Sequence, residues 1–485
     1  MSEVASMLSS TDRRLRVVQW TTGKVARESI KMILDRPNLE LVGVYAHSKE
    51  KHGQDVGDLA QLGKKLGILA TSDIDALIAL KPDCVVYMPL HPDVDQLAYL
   101  LRAGVNVVTT ASFMTGRGYG EPARKKLEEA AQAGKVSLFG SGINPGWVDN
   151  LAATASSLCR EVNQVRIVES FNIGLWAGDA NQDALGWGRP PGDATHAKDV
   201  EKATLPFGDA VEAIAALFKL ELDDVRCEVE FAHATQDLDV PGRSVKTGSV
   251  AGIMAKWLGI AGGHPVIEAT VQWCVGEEIS PAWDIAMAYR IEVNGTPQLK
   301  LRVEVLPDDM SLPVEELMLI GFLFPATPVV NAIHAVVAAR PGIVTYADLP
   351  PMTSVLRPKA LKPSVTALVD APAPAARSSQ GAASGSPLSV EGTWNVTVKG
   401  PTGAQATVLV IERVDGKLTG TQTGQGVTSP IVEVSLEGNT LRWVNYVTKP
   451  IKLKVVFTAN VDGNAMTGKC KAGFMGSYNF TATKA

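Results

Sequence analysis

Cysteine is scarce in this 485-residue chain, and Cys84, Cys159, Cys227, Cys274 and Cys470 lie far apart with no Cys-x-x-Cys pair. That spacing excludes a disulfide framework and a cysteine zinc site, and it fits a reducing compartment. Basic excess is lacking too. A net charge of −5 gives no support for nucleic-acid binding, which needs a basic face to meet phosphates, so nucleic acid is not an expected partner. Long apolar runs are also missing. The most apolar stretch, 317–324, is interrupted by Pro325 and Pro328 and is far short of the ~20 residues of a membrane span. The opening MSEVASMLSSTDRRLR has no apolar run of signal-peptide length and reads as a short arm. His196, His233, His264 and His334 follow no metal-ligand spacing. A soluble cytoplasmic protein without metal or membrane partner is expected.

What is present divides clearly. Residues 357–387 are rich in Pro, Ala, Ser and Gly and nearly free of aromatics. Such a segment buries too little apolar surface to offset its ordering entropy, and it reads as a linker. From 388 to 485 the chain is short alternating runs separated by Asp415-Gly416, Gly438-Asn439 and Asp462-Gly463. That pattern predicts a small all-β barrel or sandwich. This segment carries ten Lys/Arg against six Asp/Glu, a net +4 that leaves −9 for the remainder.

Ahead of the linker, strands and helices alternate from LRVVQW (15–20) through VSLFG (136–140). The expected fold is α/β, a Rossmann-type doubly wound parallel sheet with ligands beyond the strands' carboxyl ends. Long alternating segments between about 150 and 320 predict a mixed, mostly antiparallel sheet with few helices. A last helix opening at TPVVNAIH (327–334), with Pro328 in its first turn, is expected to return to the first sheet. The expected domains are 14–150 with 325–356, 151–324, and 388–485 after the linker.

The phosphate loop after the first strand reads Thr21-Thr22-Gly23-Lys24-Val25-Ala26, with one glycine where a dinucleotide fingerprint has three. Thr21 takes the first site, which eases the turn. Gly23 takes the second, where any Cβ would intrude on pyrophosphate, and Ala26 the third, where helix packs on strand. Thr22 and Lys24 add donors at the helix N-terminus. The second strand runs into His47, Ser48 and Lys49, with no acid until Glu50. That end suits a 2′-phosphate, so NADP(H) is preferred over NAD(H).

These stretches, with SGINPGW (141–147) and TPVVNAIHAVVAARPGI (327–343), resemble the dihydrodipicolinate reductase-like oxidoreductases. The branch is the one containing 2,4-diaminopentanoate dehydrogenase and the native amine dehydrogenases, over roughly residues 14–356. The resemblance implies a nicotinamide-dependent homodimeric reductase of a C=N bond. One departure matters. Amine dehydrogenases of this branch carry an acid just after the fourth strand, where it handles the amine proton. Here that loop, 109–117, has no carboxylate, and Ser112 cannot act as one. Imine, carbonyl or activated C=C reduction is therefore the expectation, and a non-catalytic NADPH sensor is the alternative.

Hydride chemistry belongs to the cofactor, so the residues sought are those that position substrate and supply a proton. Three loops should meet at the nicotinamide: Pro89-Leu90-His91, Thr110-Ala111-Ser112 and the loop bearing Asn144. His91, Ser112, Tyr119 and Asn144 are the candidate catalytic residues. A Trp- and Gly-rich stretch, 174–196, falls outside any regular period and reads as a lid. Trp147, Trp176 and Trp187 are the candidate contacts to a small or medium apolar substrate. Gly392-Thr393-Trp394 resembles the opening of a lipocalin-like barrel.

Overall fold

The computed structural model describes residues 13–305, 314–355, 390–400, 403–424, 427–447, 453–472 and 477–485. The expected linker at 357–387 lies outside them.

A six-stranded parallel sheet organises the first part of the chain. In chain order its elements begin β1 (Leu15–Trp20), α1 (Lys24–Leu34), β2 (Leu39–Tyr45), α2 (Val56–Leu59), α3 (Ile74–Ala79), β3 (Cys84–Tyr87) and α4 (Val94–Arg102). They continue with β4 (Asn106–Thr109), α5 (Glu121–Gly134) and β5 (Ser137–Gly140). The strand order is β2-β1-β3-β4-β5 followed by a late strand, 342–344. Order reverses between β1 and β3, and such a switch point opens a crevice at the strands' carboxyl ends. Helices α1 and α4 form where apolar residues recur at helical spacing. Ala26, Ile30 and Ile33 of α1 are buried against one face of the sheet, and Leu97, Leu100 and Leu101 of α4 against the other.

After β5 come α6 (Trp147–Ala155), β6 (Glu161–Asn172), α7 (His196–Ala203), α8 (Leu205–Leu217), β7 (Asp224–Ala234), β8 (Leu238–Val240), β9 (Arg243–Val245), β10 (Val250–Ala261), β11 (His264–Cys274), β12 (Ile279–Ser280), β13 (Ala288–Thr296) and β14 (Leu299–Val303). Seven strands form a mixed sheet in the order β12-β7-β10-β11-β6-β13-β14, in which β11 and β6 run parallel. Two features depart from expectation. Helix α8 buries Phe207, Ala210, Val211, Ile214 and Ala215. It is apolar over most of its circumference, so it shows no amphipathic period. Strand β10 is buried at both parities, and a strand covered on both faces loses its alternation.

The final helix, α9 (Val314–Val337), is longer than its prolines foretell, and both Pro325 and Pro328 lie inside it. Each interior proline costs about 3 kcal/mol. Val329, Val330, Ile333 and Val336 are fully buried against the first sheet, and each such burial returns about 1.5–3 kcal/mol. Packing therefore overrides the local penalty. The stretch 318–337 of this helix is long and apolar enough to cross a membrane by composition, and the buried residues just named lie in its second half. The strand Gly342–Val344, β15, then joins β5 in parallel.

The last part of the chain, considered by itself, is a closed antiparallel barrel of eight strands, β16 (Gly392–Gly400) through β23 (Ser477–Lys484). Trp394 is fully buried, and its indole donates to the Val390 carbonyl at 2.9 Å. Trp443 stacks on Phe457 at 4.7 Å, and both meet Phe480 edge-on. Among the described residues these rings belong to one buried apolar cluster.

Candidate active site at the carboxyl edge of the parallel sheet

β1 leads into Thr21, which adopts φ 77, a left-handed conformation uncommon for a β-branched residue. Its hydroxyl donates to the Met88 carbonyl at 3.2 Å, tying the loop after β1 to the loop after β3. Gly23 is the N-cap of α1 at φ −70, ψ −180, an extended geometry open to any residue. A Cβ at Gly23 would meet no protein atom within 4 Å. Neither backbone nor packing calls for glycine here. The space borders a helix N-terminus that no side chain caps, where free N–H groups and the helix dipole favour an anion. A dinucleotide pyrophosphate fits that cradle. Ala26 is buried where α1 meets the sheet, and Val25 packs on the same core.

Lys24 is committed elsewhere. Its Nζ pairs with Asp179 at 2.6 Å and lies 4.7 Å from the centre of the Phe322 ring. Asp179 belongs to the Trp- and Gly-rich stretch, so this ion pair holds that stretch to the head of α1. A cation that sequence reading missed stands closer to the loop: Lys51 Nζ donates to Thr22 Oγ1 at 3.0 Å. His47 and Lys49 are exposed, and Ser48 is hydrogen-bonded to Glu50.

Backbone hydrogen bonds stitch the next loops into one row. Thr110 N donates to the Tyr87 carbonyl at 3.3 Å, and Ser141 N donates to the Thr109 carbonyl at 3.0 Å. Pro89 and Thr110 are half-buried in that row, and Leu90 is 55% exposed. His91 and Ser112 are exposed. The α4 N-cap is Asp93, which accepts from Asp95 N and Gln96 N, so His91 does not cap that helix. The Tyr119 hydroxyl donates to the Ala111 carbonyl, its ring meets Phe113 edge-on, and burial pushes its pKa up. The structure thus occupies this hydroxyl in shaping the loop. Asp209 of α8 holds the same loop by accepting from Met114 N, Thr115 N and Gly116 N.

Asn144 brings the two sheets together. It lies in the turn after β5, and its Nδ2 donates to Glu169 Oε2 at 2.9 Å. Glu169 projects from β6 and also accepts from Trp273 Nε1 at 3.1 Å. Burial pushes the Glu169 carboxyl up to about 7, against the lowering effect of the Asn144 and Trp273 hydrogen bonds, while the Asp149 charge raises it further. Asn144 Oδ1 is buried with no hydrogen-bond partner. Glu169 was not among the sequence candidates. Its signal is parity: on β6 it falls in step with buried Val165 and Ile167, where a strand ordinarily presents apolar side chains.

Behind this turn lies a second acid. Asp149 Oδ2 accepts from Gly146 N at 2.6 Å, fixing the start of α6, while Oδ1 has no partner. Gly146 has φ 129, and a Cβ there would fall 2.4 Å from Ser141 Oγ, so only glycine closes this turn. Burial pushes Asp149 up to about 7. The folded chain therefore holds that proton more tightly than the unfolded chain, whose carboxyl titrates near ~4. The resulting stability is full below that value and is lost as pH rises through about 7. Asp149→Asn, neutral at every pH, is expected to raise the unfolding midpoint at pH 8, by on the order of 2–4 kcal/mol in stability. The gain should narrow at pH 5 in thermal scans. An equal gain at both pH values contradicts the assignment.

Of the three candidate tryptophans, Trp147 is exposed at the first turn of α6, beside the Asn144 turn. Trp176 donates to the Met318 carbonyl at 3.2 Å. Trp187 is buried with its indole on Gln182. Among the described residues no cluster of His, Cys, Asp and Glu has the geometry to hold a metal.

Comparison with known proteins gives a consistent picture. Residues 17–139 match the family described as dihydrodipicolinate reductase, N-terminus. An amine dehydrogenase from Streptomyces virginiae is 28% identical over 353 residues, covering 69% of this chain and 96% of that protein. A 2,4-diaminopentanoate dehydrogenase from Acetoanaerobium sticklandii is 24% identical over 352 residues, covering 70% of this chain and 94% of that protein. The solved amine dehydrogenase of Mycobacterium smegmatis shares the fold, with a TM-score of 0.58 at 23% identity over 71% of this chain and 98% of its own. These relatives are matched almost end to end, and the remainder of this chain has no counterpart in them.

Proposed function

For a chain that is an NAD(P)-dependent oxidoreductase, related to amine dehydrogenases and carrying a dihydrodipicolinate reductase-type N-terminal segment, we propose reduction of a C=N bond in a small or medium apolar substrate, with NADP(H) as cofactor. Cytoplasmic location as a homodimer completes the reading, and five free thiols accord with a reducing compartment. Bound nicotinamide supplies the hydride. The chain's own residues do the rest. The bare Gly23 and the uncapped head of α1 receive pyrophosphate, and Lys51 beside Thr22 meets the 2′-phosphate. The turn bearing Asn144, on the far side of the switch point from β2, holds the reacting group.

One observation carries this reading: the open space in front of Gly23 at the switch point of a parallel sheet. The test is NADPH oxidation by the full chain across a panel of cyclic imines, ketones and enones. Imines are expected to be turned over fastest. NADPH binding without turnover of any compound would replace the enzyme reading with a sensor.

A further inference from the structure

Resting on the oxidoreductase reading, we propose that Glu169 is the acid–base residue of this site and that, with Asn144 Oδ1, it selects a nitrogen substrate, protonating the imine and holding the iminium so formed. The loop after β4 holds no acid before Glu121, and that side chain is exposed on α5 and paired with Arg124. The carboxylate missing from the loop is thus supplied from the opposite sheet, through β6.

Three observations define the chemistry. First, the groups acting on Glu169 are Asn144, Trp273 and Asp149, and none carries a positive charge. Tyr289 of β13 is its cross-strand neighbour, and burial, with the Glu169 charge adding to it, holds that phenol's pKa up. A half-buried carboxylate with only neutral and acidic neighbours is completed by a cation. Second, Asn144 gives one of its two N–H bonds to Glu169, and its Oδ1 is a buried acceptor without a donor. A carboxylate and an amide oxygen side by side are two acceptors, matched by a ligand with more than one N–H. A carbonyl oxygen would add a third acceptor. Third, Asn144 stands in the turn after β5, in the row stitched to the loops after β3 and β4, so the pair lies at the carboxyl edge rather than deep in the mixed sheet.

The step balances. Glu169 gives its proton to the nitrogen of C=N, one hydride reaches the carbon, and the amine leaves with both. The carboxylate is then reprotonated from solvent. Run backwards, the lone pair of the neutral amine expels hydride beside ionised Glu169, and the iminium so formed returns its proton to the carboxylate. Reduction therefore requires the protonated acid and fades as pH rises through about 7, whereas amine oxidation rises through the same value.

Two variants and one binding measurement test this. Glu169→Gln should lower kcat/KM for imine reduction by about 10²–10⁴-fold and remove the pH limb, with NADPH affinity unchanged. Trp273→Phe removes a hydrogen bond that favours the ionised form, so its limb should move to higher pH while turnover persists. Calorimetric titration of the full chain with cyclohexylamine, without cofactor, should give binding that Glu169→Gln weakens at least about tenfold, with cyclohexanol binding equally weak in both. An unchanged pH profile in Glu169→Gln, an unmoved limb in Trp273→Phe, or equal cyclohexylamine affinity in both chains would overturn the assignment. Failure of every substrate to oxidise NADPH would sink the oxidoreductase reading instead, and the amine titration would still report on Glu169.

Discussion

Replacing Gly23 by valine is expected to raise the Kd for NADPH by at least about 100-fold, roughly 2.7 kcal/mol, while costing the folded chain no more than about 1 kcal/mol. The two halves of that expectation have separate causes. Stability is spared because Gly23 sits in extended backbone and a Cβ there touches no protein atom within 4 Å. Its cap function is already without a side-chain hydrogen bond. Affinity is lost because the added carbons fill the space that lets a pyrophosphate reach the N–H groups of α1. Thermal unfolding and NADPH fluorescence titration on one preparation separate the two effects. Equal affinity in the variant would mean that phosphate does not settle there.

Lys51→Glu is the second large effect. The amine lies 3.0 Å from Thr22 Oγ1, so it stands over the loop between the ends of β1 and β2, where the adenosine ribose of a dinucleotide rests in this fold. An ammonium hydrogen-bonded to a phosphate is worth about 1.5–3 kcal/mol, and reversing its charge adds repulsion. The variant should bind NADPH about 10–100-fold more weakly, with NADH affinity unchanged or improved. A parallel loss for both cofactors would give Lys51 a structural role. Changes at His47 or Lys49 should matter less, because both side chains are exposed.

Much of the parallel sheet was legible because its elements obey simple periods. The span Lys24–Leu34 repeats buried residues at helical spacing, and LRVVQW is a short, mostly apolar run followed by turn residues. Where a segment is buried on all sides the period vanishes, and α8 and β10 were lost for that reason. The early start of α9 was hidden by prolines that only tertiary burial overrides. The site divides in the same way. The loop at 21–26 and Asn144 stand out because glycine and proline mark tight turns. Glu169 and Lys51 do not, since each works through a partner distant in sequence: Asn144 is 25 residues away and Thr22 is 29. An acid at a core-facing strand position was the one visible clue, and it points to a site only when another element is known to face it. Tyr119 shows the converse. Its setting between two glycines marked it out, yet its hydroxyl closes its own loop on Ala111.

The most direct test of the account follows the hydride itself. The full chain is given a cyclic imine and NADPH deuterated at C4 of the nicotinamide, and the amine formed is analysed by mass spectrometry and NMR. Deuterium on the former imine carbon, in one configuration, is the predicted result. Oxidised cofactor with no deuterium in the product, or no amine at all, would contradict it.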